Sequence, residues 1–472
     1  MLNKKTEGCI RTERESKMNT VLLILLWIVE LALAWMTITR KSNKKEWQLG
    51  RIIANVGDLL LLLIMSLFPG IDLGMRFKML FAVIMLRILF AGIGWLIHRN
   101  DEKPKKLAGI ITSCILSMII VSMSMIPSYV FADYNGLPTT GEYSVATAKA
   151  ILVDNNRVET FEEDGSYREV PVYFFYPEQA VNEQLPVVFF SHGAFGYYQS
   201  NYSTYAELAS NGYIVISMEH PYHSMFTKDT SGKTIIVDGE MFNNTMRIQD
   251  TRDGSITEEE VFEITKEWID LRLADANFVI DTIELAADEA TLTEAWNISD
   301  REAEQIVELL PMMDLEHIGF MGHSLGGATA VTLGRMRDDI SAVIDLDGTM
   351  LGEILYVENG VDVVNTEPYP VPLFSIDNQE HHNDRISIKK NGGVYTNNVV
   401  HDNALIGYNT YIRESGHMNF TDLPMFSPVL AKMFGTGEVN SEKCMLTVNQ
   451  LVLGFFDEYL KGVGTFTVQE GY

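Results

Sequence analysis

Hydrophobic positions along the chain follow two regimes that change near residue 132. Before it, apolar stretches run at about Thr20 to Ile38, Ile52 to Phe68, Phe77 to Ile97 and Leu107 to Ile126. Each approaches the roughly 20 residues that a helix needs to cross a bilayer; the second is the shortest and carries Asp58. After residue 132 the runs are short and separated by turn signals. Glu142 to Val153 and Val158 to Tyr176, with an Asp164-Gly165 turn, read as antiparallel strands. Pro186 to Ser191 and Tyr213 to Met218 read as buried strands on either side of a helix over Tyr202 to Ser210. A charged helical region spans about Thr257 to Ala287, with Val261, Ile264, Trp268, Leu271 and Phe278 near helical spacing, and Asp300 to Leu310 continues it. Strands follow at Ile318 to Met321, Ile340 to Asp345, Pro372 to Ile376 and Tyr408 to Arg413, and Ser441 to Lys461 closes the chain as a helix. This alternation predicts an α/β domain over residues 133–472 with a mostly parallel central sheet covered on both faces. An α-helical transmembrane bundle of about four helices over residues 1–132 precedes it.

Charge divides the chain at the same place. Residues 1–132 hold 17 Lys and Arg against 9 Asp and Glu, and the remainder holds 19 against 54. So acidic a domain argues against nucleic acid as a partner. Arg40, Lys41, Lys44 and Lys45 follow the first apolar stretch, and Arg99, Lys103, Lys105 and Lys106 precede the fourth. The excess of basic residues in these two loops places them in the cytoplasm and the acidic domain outside, in a multi-pass cell-membrane protein. The basic tail Met1 to Lys17 opposes this for four spans; a start at Met18 removes the conflict, and three spans put the tail inside with the domain still outside. Trp27, Trp35, Trp47 and Trp95 lie at or towards segment ends, as interfacial anchors do. Glu30, Asp58 and Arg87 fall inside apolar stretches, where they are expected to pair within the bundle. The three cysteines, Cys9, Cys114 and Cys444, are too few and too scattered for a disulfide framework.

The chemistry concentrates at Ile318 to Thr329, read I-G-F-M-G-H-S-L-G-G-A-T. An apolar run ends in a glycine-flanked serine and passes into a helix-compatible stretch, which predicts a sharp strand-to-helix turn presenting Ser324 as a nucleophile. Leu325 then offers a backbone N–H to a developing oxyanion. A serine hydroxyl needs a base oriented by an acid, and in the α/β-hydrolase order these follow as acid, then histidine, at the carboxyl ends of later strands. The strand S-A-V-I-D-L-D-G-T-M supplies Asp347, deeper in its turn beside Gly348, with Asp345 as the alternative. His417, in R-E-S-G-H-M-N-F after the last strand, is the candidate base; His381, His382 and His401 are read as surface residues of loops or helix, and His323 as shaping the turn. The loop F-F-S-H-G-A-F-G supplies a second oxyanion donor, the N–H of Ala194 or, failing that, of Phe195. No His, Asp or Glu set has convincing metal spacing, E-H-P-Y-H around His220 included, so neither metal nor cofactor is expected.

Taken together, G-H-S-L-G-G-A-T, L-D-G-T-M, S-G-H-M-N-F-T-D, S-H-G-A-F-G and E-H-P-Y-H-S resemble the plasma-type platelet-activating factor acetylhydrolases, within the dienelactone hydrolase and lipase-like α/β-hydrolases. The likeness covers about Glu142 to Gly462. One departure is Leu325, where phenylalanine is common. The resemblance implies calcium-independent hydrolysis of an ester, with Ser324 as nucleophile, Asp347 as acid, His417 as base and Leu325 with Ala194 as oxyanion donors. The implied substrate is a small-molecule or lipid ester of short acyl chain, with membrane lipids surrounding the N-terminal helices. An acyltransferase on the same fold, and a membrane sensor with an esterase-like ligand domain, are the alternatives.

Overall fold

The computed structural model describes residues 4–68, 71, 73–179, 184–249 and 256–472. Contacts divide the chain into two units, one reaching to Asn135 and taking in Pro424–Met433, the other comprising Gly136–Leu423 and Phe434–Tyr472.

In the first unit, helices α1 (Lys4–Thr39), α2 (Lys44–Met65), α3 (Met75–Ile97) and α4 (Leu107–Ser124) each hold a stretch long and apolar enough, by length and composition, to cross a membrane. The second starts well before its apolar run, because Asn43 and Glu46 form a capping box that begins α2 at Lys44. Lys44 and Lys45 are therefore helical, not loop residues. The two basic regions meet on one side: Lys105 N–H donates to Ser42 O at 3.0 Å and Lys44 pairs with Asp101 at 2.9 Å. Trp47 is buried within the bundle, with the Lys105 ammonium 4.2 Å from its ring centre. Inside the bundle, Arg87 of α3 pairs with Glu30 of α1 and, at 3.4 Å, with Asp58 of α2. Nothing in the sequence pattern signals that Pro424–Met433 belongs here. It docks beside α5 (Ile126–Val130), where Ala132 N–H donates to Phe426 O at 2.9 Å and the Ser427 hydroxyl to Val130 O at 2.8 Å.

The second unit is built on one sheet. Its strands are β1 (Val145–Val158), β2 (Tyr167–Pro177), β3 (Leu185–Ser191), β4 (Ile214–Met218) and, after a small hairpin of β5 (Phe226–Lys228) and β6 (Thr234–Ile236), β7 (Trp296–Asn297) and β8 (Met313–His323). The strand β9 (Ile340–Leu346), the separate hairpin β10 (Ile354–Glu358) and β11 (Val361–Val364), β12 (Leu373–Asp377) and β13 (Gly407–Tyr411) complete the set. Nine of these form the central sheet in the order β13-β12-β9-β8-β3-β4-β2-β1-β7. From β13 through β4 every pairing is parallel, and β2, β1 and β7 extend it antiparallel. Along β3, Val187 and Phe189 join one core cluster and Val188 and Phe190 the other. This is the period-two alternation of a strand with helices on both faces.

The crossovers include α6 (Tyr202–Ser210), α7 (Gly239–Gln249), α8 (Glu258–Glu289), α9 (Asp300–Leu309) and α10 (Leu325–Met336). Thr257 and Glu260 cap the start of α8 reciprocally. Between β12 and β13 lie α11 (Gln379–Lys390) and α12 (Thr396–Asp402). Helix α11 buries only Arg385 and so carries almost no apolar stripe for a periodicity reading to find; Asn378 starts it by accepting His381 N–H at 2.8 Å. Ser441–Tyr459 closes the fold, and Tyr472 pairs along edge strand β13 through Tyr411 and Arg413.

The ion cluster of the first unit gives a stability prediction. Arg87→Leu leaves Glu30 and Asp58 buried without their shared counter-charge. It should destabilise the fold by about 3–5 kcal/mol, read as a lower thermal midpoint of the detergent-solubilised protein.

Candidate active site

Ser324 stands between the end of β8 and the first residue of α10, with φ 55° and ψ −124°. A non-glycine residue holds such a conformation, costing about 1–3 kcal/mol, only where its surroundings enforce it. Here Ser324 N–H is fixed on Leu346 O at 2.9 Å. A Cβ at Gly322 would overlap the Gly326 carbonyl, and one at Gly326 would overlap the Ser191 carbonyl, so both glycines are required by close backbone packing. Among the described residues the Ser324 hydroxyl makes no hydrogen bond.

Asp347 lies beyond the end of β9, also at positive φ (58°), and is almost fully buried. Its Oδ2 accepts His417 Nδ1–H at 2.6 Å and Asn378 Nδ2–H at 2.7 Å. Its Oδ1 accepts Asn378 N–H at 2.6 Å, and His381 Nδ1 stands 2.9 Å from the same oxygen as an ion-pair partner. Burial opposes ionisation, but His381 and His417 outweigh it and hold the carboxyl below its ordinary range. Asp345 is placed differently. It accepts Gly348 N–H at 2.9 Å, and burial, then Asp377 and Asp347, push its carboxyl well up. No histidine bonds to it among the described residues, so the geometry puts Asp347, not Asp345, with His417.

His417 follows β13, and its ring lies 4.5 Å from that of His323, the residue before Ser324. His323 Nε2 bonds to His417 O at 3.2 Å; burial, then His417, push its imidazole down to about 3, so it is neutral and Nε2–H is the donor. Among the described residues Nε2 of His417 has no partner, as is common before substrate tightens the contact. The other histidines differ from their surface reading. His401 bonds Ser375 Oγ at 2.8 Å and is pushed by burial down to about 3. His382 stacks on Tyr411 with centroids 3.6 Å apart, and His381 reaches Asp347.

The loop after β3 abuts the serine: a Cβ built at Gly193 would stand 3.2 Å from Ser324 Cβ. Phe195 N–H is taken by His223 O at 3.0 Å, which removes it as a free donor. Arg272 of α8, fully buried, donates to His192 O and, at 3.3 Å, to Gly193 O; His192 Nδ1 also bonds Gly193 O at 2.6 Å. Because C=O and N–H point opposite ways across a trans peptide, gripping the Gly193 carbonyl turns the Ala194 N–H away from Arg272. In the sequence Arg272 is one charged residue in a charged helix, with no local feature that marks it.

A second Ser–His–Asp chain lies behind this loop. Ser191 Oγ is 2.9 Å from His220 Nε2, and His220 Nδ1 is 3.0 Å from Asp275, which also binds Arg168 at 2.7 Å. All three are sealed from solvent, Arg272 donates to Ser191 Oγ at 3.3 Å, and burial, then Arg272, push His220 down to about 4. This chain has no access for a substrate. It is a satisfied buried network that anchors Arg272.

Residues 165–467, well over half of the chain, match the family model described as platelet-activating factor acetylhydrolase, isoform II. The chain belongs to this family. Similar relatives named platelet-activating factor acetylhydrolase come from Canis lupus familiaris, 27% identical over 286 residues (59% of this chain, 58% of the relative), and Bos taurus, 25% identical over 296 residues with the same coverage. The chain thus spans about 58% of the length of the curated relatives it matches. A ferulic acid esterase from Streptomyces cinnamoneus superposes with TM-score 0.48 at 18% identity, over 70% of this chain and 94% of that one. The acetylhydrolase family match contains Ser324, Asp347 and His417 and leaves out α1 to α5.

The two serine–histidine arrangements predict opposite outcomes. A fluorophosphonate probe should label the wild type and a less stable Ser191→Ala protein, but not Ser324→Ala, as read by in-gel fluorescence.

Proposed function

We propose that the protein is a membrane-anchored serine carboxylic-ester hydrolase. The observation that carries this reading is the 2.6 Å bond from His417 Nδ1 to buried Asp347, beside a serine held at a strained strand-to-helix turn. With Nδ1–H committed to Asp347, Nε2 of His417 is the basic nitrogen and takes the Ser324 proton as the hydroxyl attacks the ester carbonyl. The N–H groups of Leu325 and Ala194 receive the oxyanion, with the start of α10 adding positive potential. Collapse expels the alcohol, which takes the proton from His417. Water, activated by the same nitrogen, then releases the acid from Ser324.

Membership of the acetylhydrolase family, and the names of the dog and cattle relatives, support a short acyl ester of a phospholipid-type molecule as substrate. Four apolar helices support anchoring in the cell membrane. The basic residues gathered on one side of the bundle support an extracytoplasmic catalytic unit.

Two measurements test this. Asp347→Asn should lower kcat for p-nitrophenyl acetate by about 10³–10⁴-fold with little change in KM, since the imidazole loses its orienting acceptor. A membrane-impermeant fluorophosphonate should label Ser324 on intact cells; labelling only after lysis would reverse the proposed orientation.

A further inference from the structure

Asp347 binds two histidines, and the reaction above uses one. His381 sits in the first turn of α11, its N–H on Asn378 Oδ1 at 2.8 Å, while Asn378 Nδ2 and N–H hold Asp347 at 2.7 and 2.6 Å. The same asparagine therefore caps the helix and sets the register that brings His381 Nδ1 to Oδ1 of Asp347 at 2.9 Å. His417 occupies the other oxygen, and the two imidazole centres lie 6.1 Å apart. We propose that His381 is a positioning residue of this site, a cationic second imidazole that clamps the carboxylate orienting His417 and offsets its charge. This inference rests on the ester-hydrolase reading.

The charges around the ring support its cationic form. Burial favours neutral imidazole, but Asp347, then Asp377 and Asp345, raise His381 to about 9. Of these, Asp377 is itself paired with Arg385 at 2.6 Å, one turn along α11, and Asp345 is driven towards its neutral acid. From β8, His323 is neutral; from the start of α12, burial keeps the Tyr395 phenol neutral. Asp347 is thus the full negative charge in direct contact with His381. A carboxylate already bearing one imidazolium stabilises a second less well, so the charge on His381 weighs against a second positive charge on the other oxygen of Asp347.

Two variants separate charge from positioning: His381→Phe removes the charge and the polar contact, and His381→Asn, whose amide nitrogen takes the place of Nδ1, removes only the charge. The measurement is kcat/KM for p-nitrophenyl acetate from pH 5 to 9 on the full-length, detergent-solubilised protein, with thermal midpoints to verify folding. The acid limb should move up by about half to one pH unit in both variants, with kcat above the limb several-fold lower in His381→Phe and largely restored in His381→Asn. An unmoved acid limb in the folded His381→Asn protein overturns the inference, whatever His381→Phe does. Failure of the underlying reading looks different: the wild type would lack esterase activity, or Ser324→Ala would retain it.

Discussion

A single buried carboxylate organises this protein's candidate site. Asp347 has lost almost all contact with water, and an ion in that position persists only if the chain surrounds it with donors. Three hydrogen bonds, two from Asn378 and one from His417, and the ion pair with His381 do so. These residues follow β9, β12 and β13, neighbours in the sheet that run parallel. Parallel strands deliver their carboxyl ends to one edge, so three loops distant in sequence emerge side by side. The register of the sheet thereby becomes the geometry of the site.

The opposite side of the serine is shaped by a second buried charge. Arg272 turns the carbonyls of the loop after β3 inward, and the network of Ser191, His220, Asp275 and Arg168 keeps that guanidinium in place and satisfied. One Ser–His–Asp chain is thus scaffold and the other is the proposed machinery. The contrast is in access and strain: the scaffold serine sits within a regular buried strand and has its hydroxyl engaged, whereas Ser324 occupies a strained turn and its hydroxyl makes no hydrogen bond among the described residues.

The first unit solves a related problem in an apolar setting. Glu30, Asp58 and Arg87 come from three helices and would each be costly alone, yet they meet in one cluster. Pro424–Met433 joins this unit without announcement in the composition, since its few residues carry no periodicity long enough to read.

Pattern alone located the strands of the sheet and most of its crossover helices, because burial on two faces leaves continuous apolar runs such as Leu185 to Ser191 and Ile340 to Leu346. It also named Ser324, Asp347 and His417, since a glycine-bounded turn and the residues just past strand ends are local features. Helix α11 escaped it, because a helix held by an asparagine cap and a few polar contacts has no apolar stripe, and with it escaped the role of His381. Arg272 and the buried relay behind the loop escaped for a different reason: a charge is legible as structural only once its partners, far apart in the chain, are known. Local sequence fixes where a residue sits along its strand or turn. Which carboxylate meets which imidazole, and which serine is left free, depends on how distant segments share one low-dielectric interior.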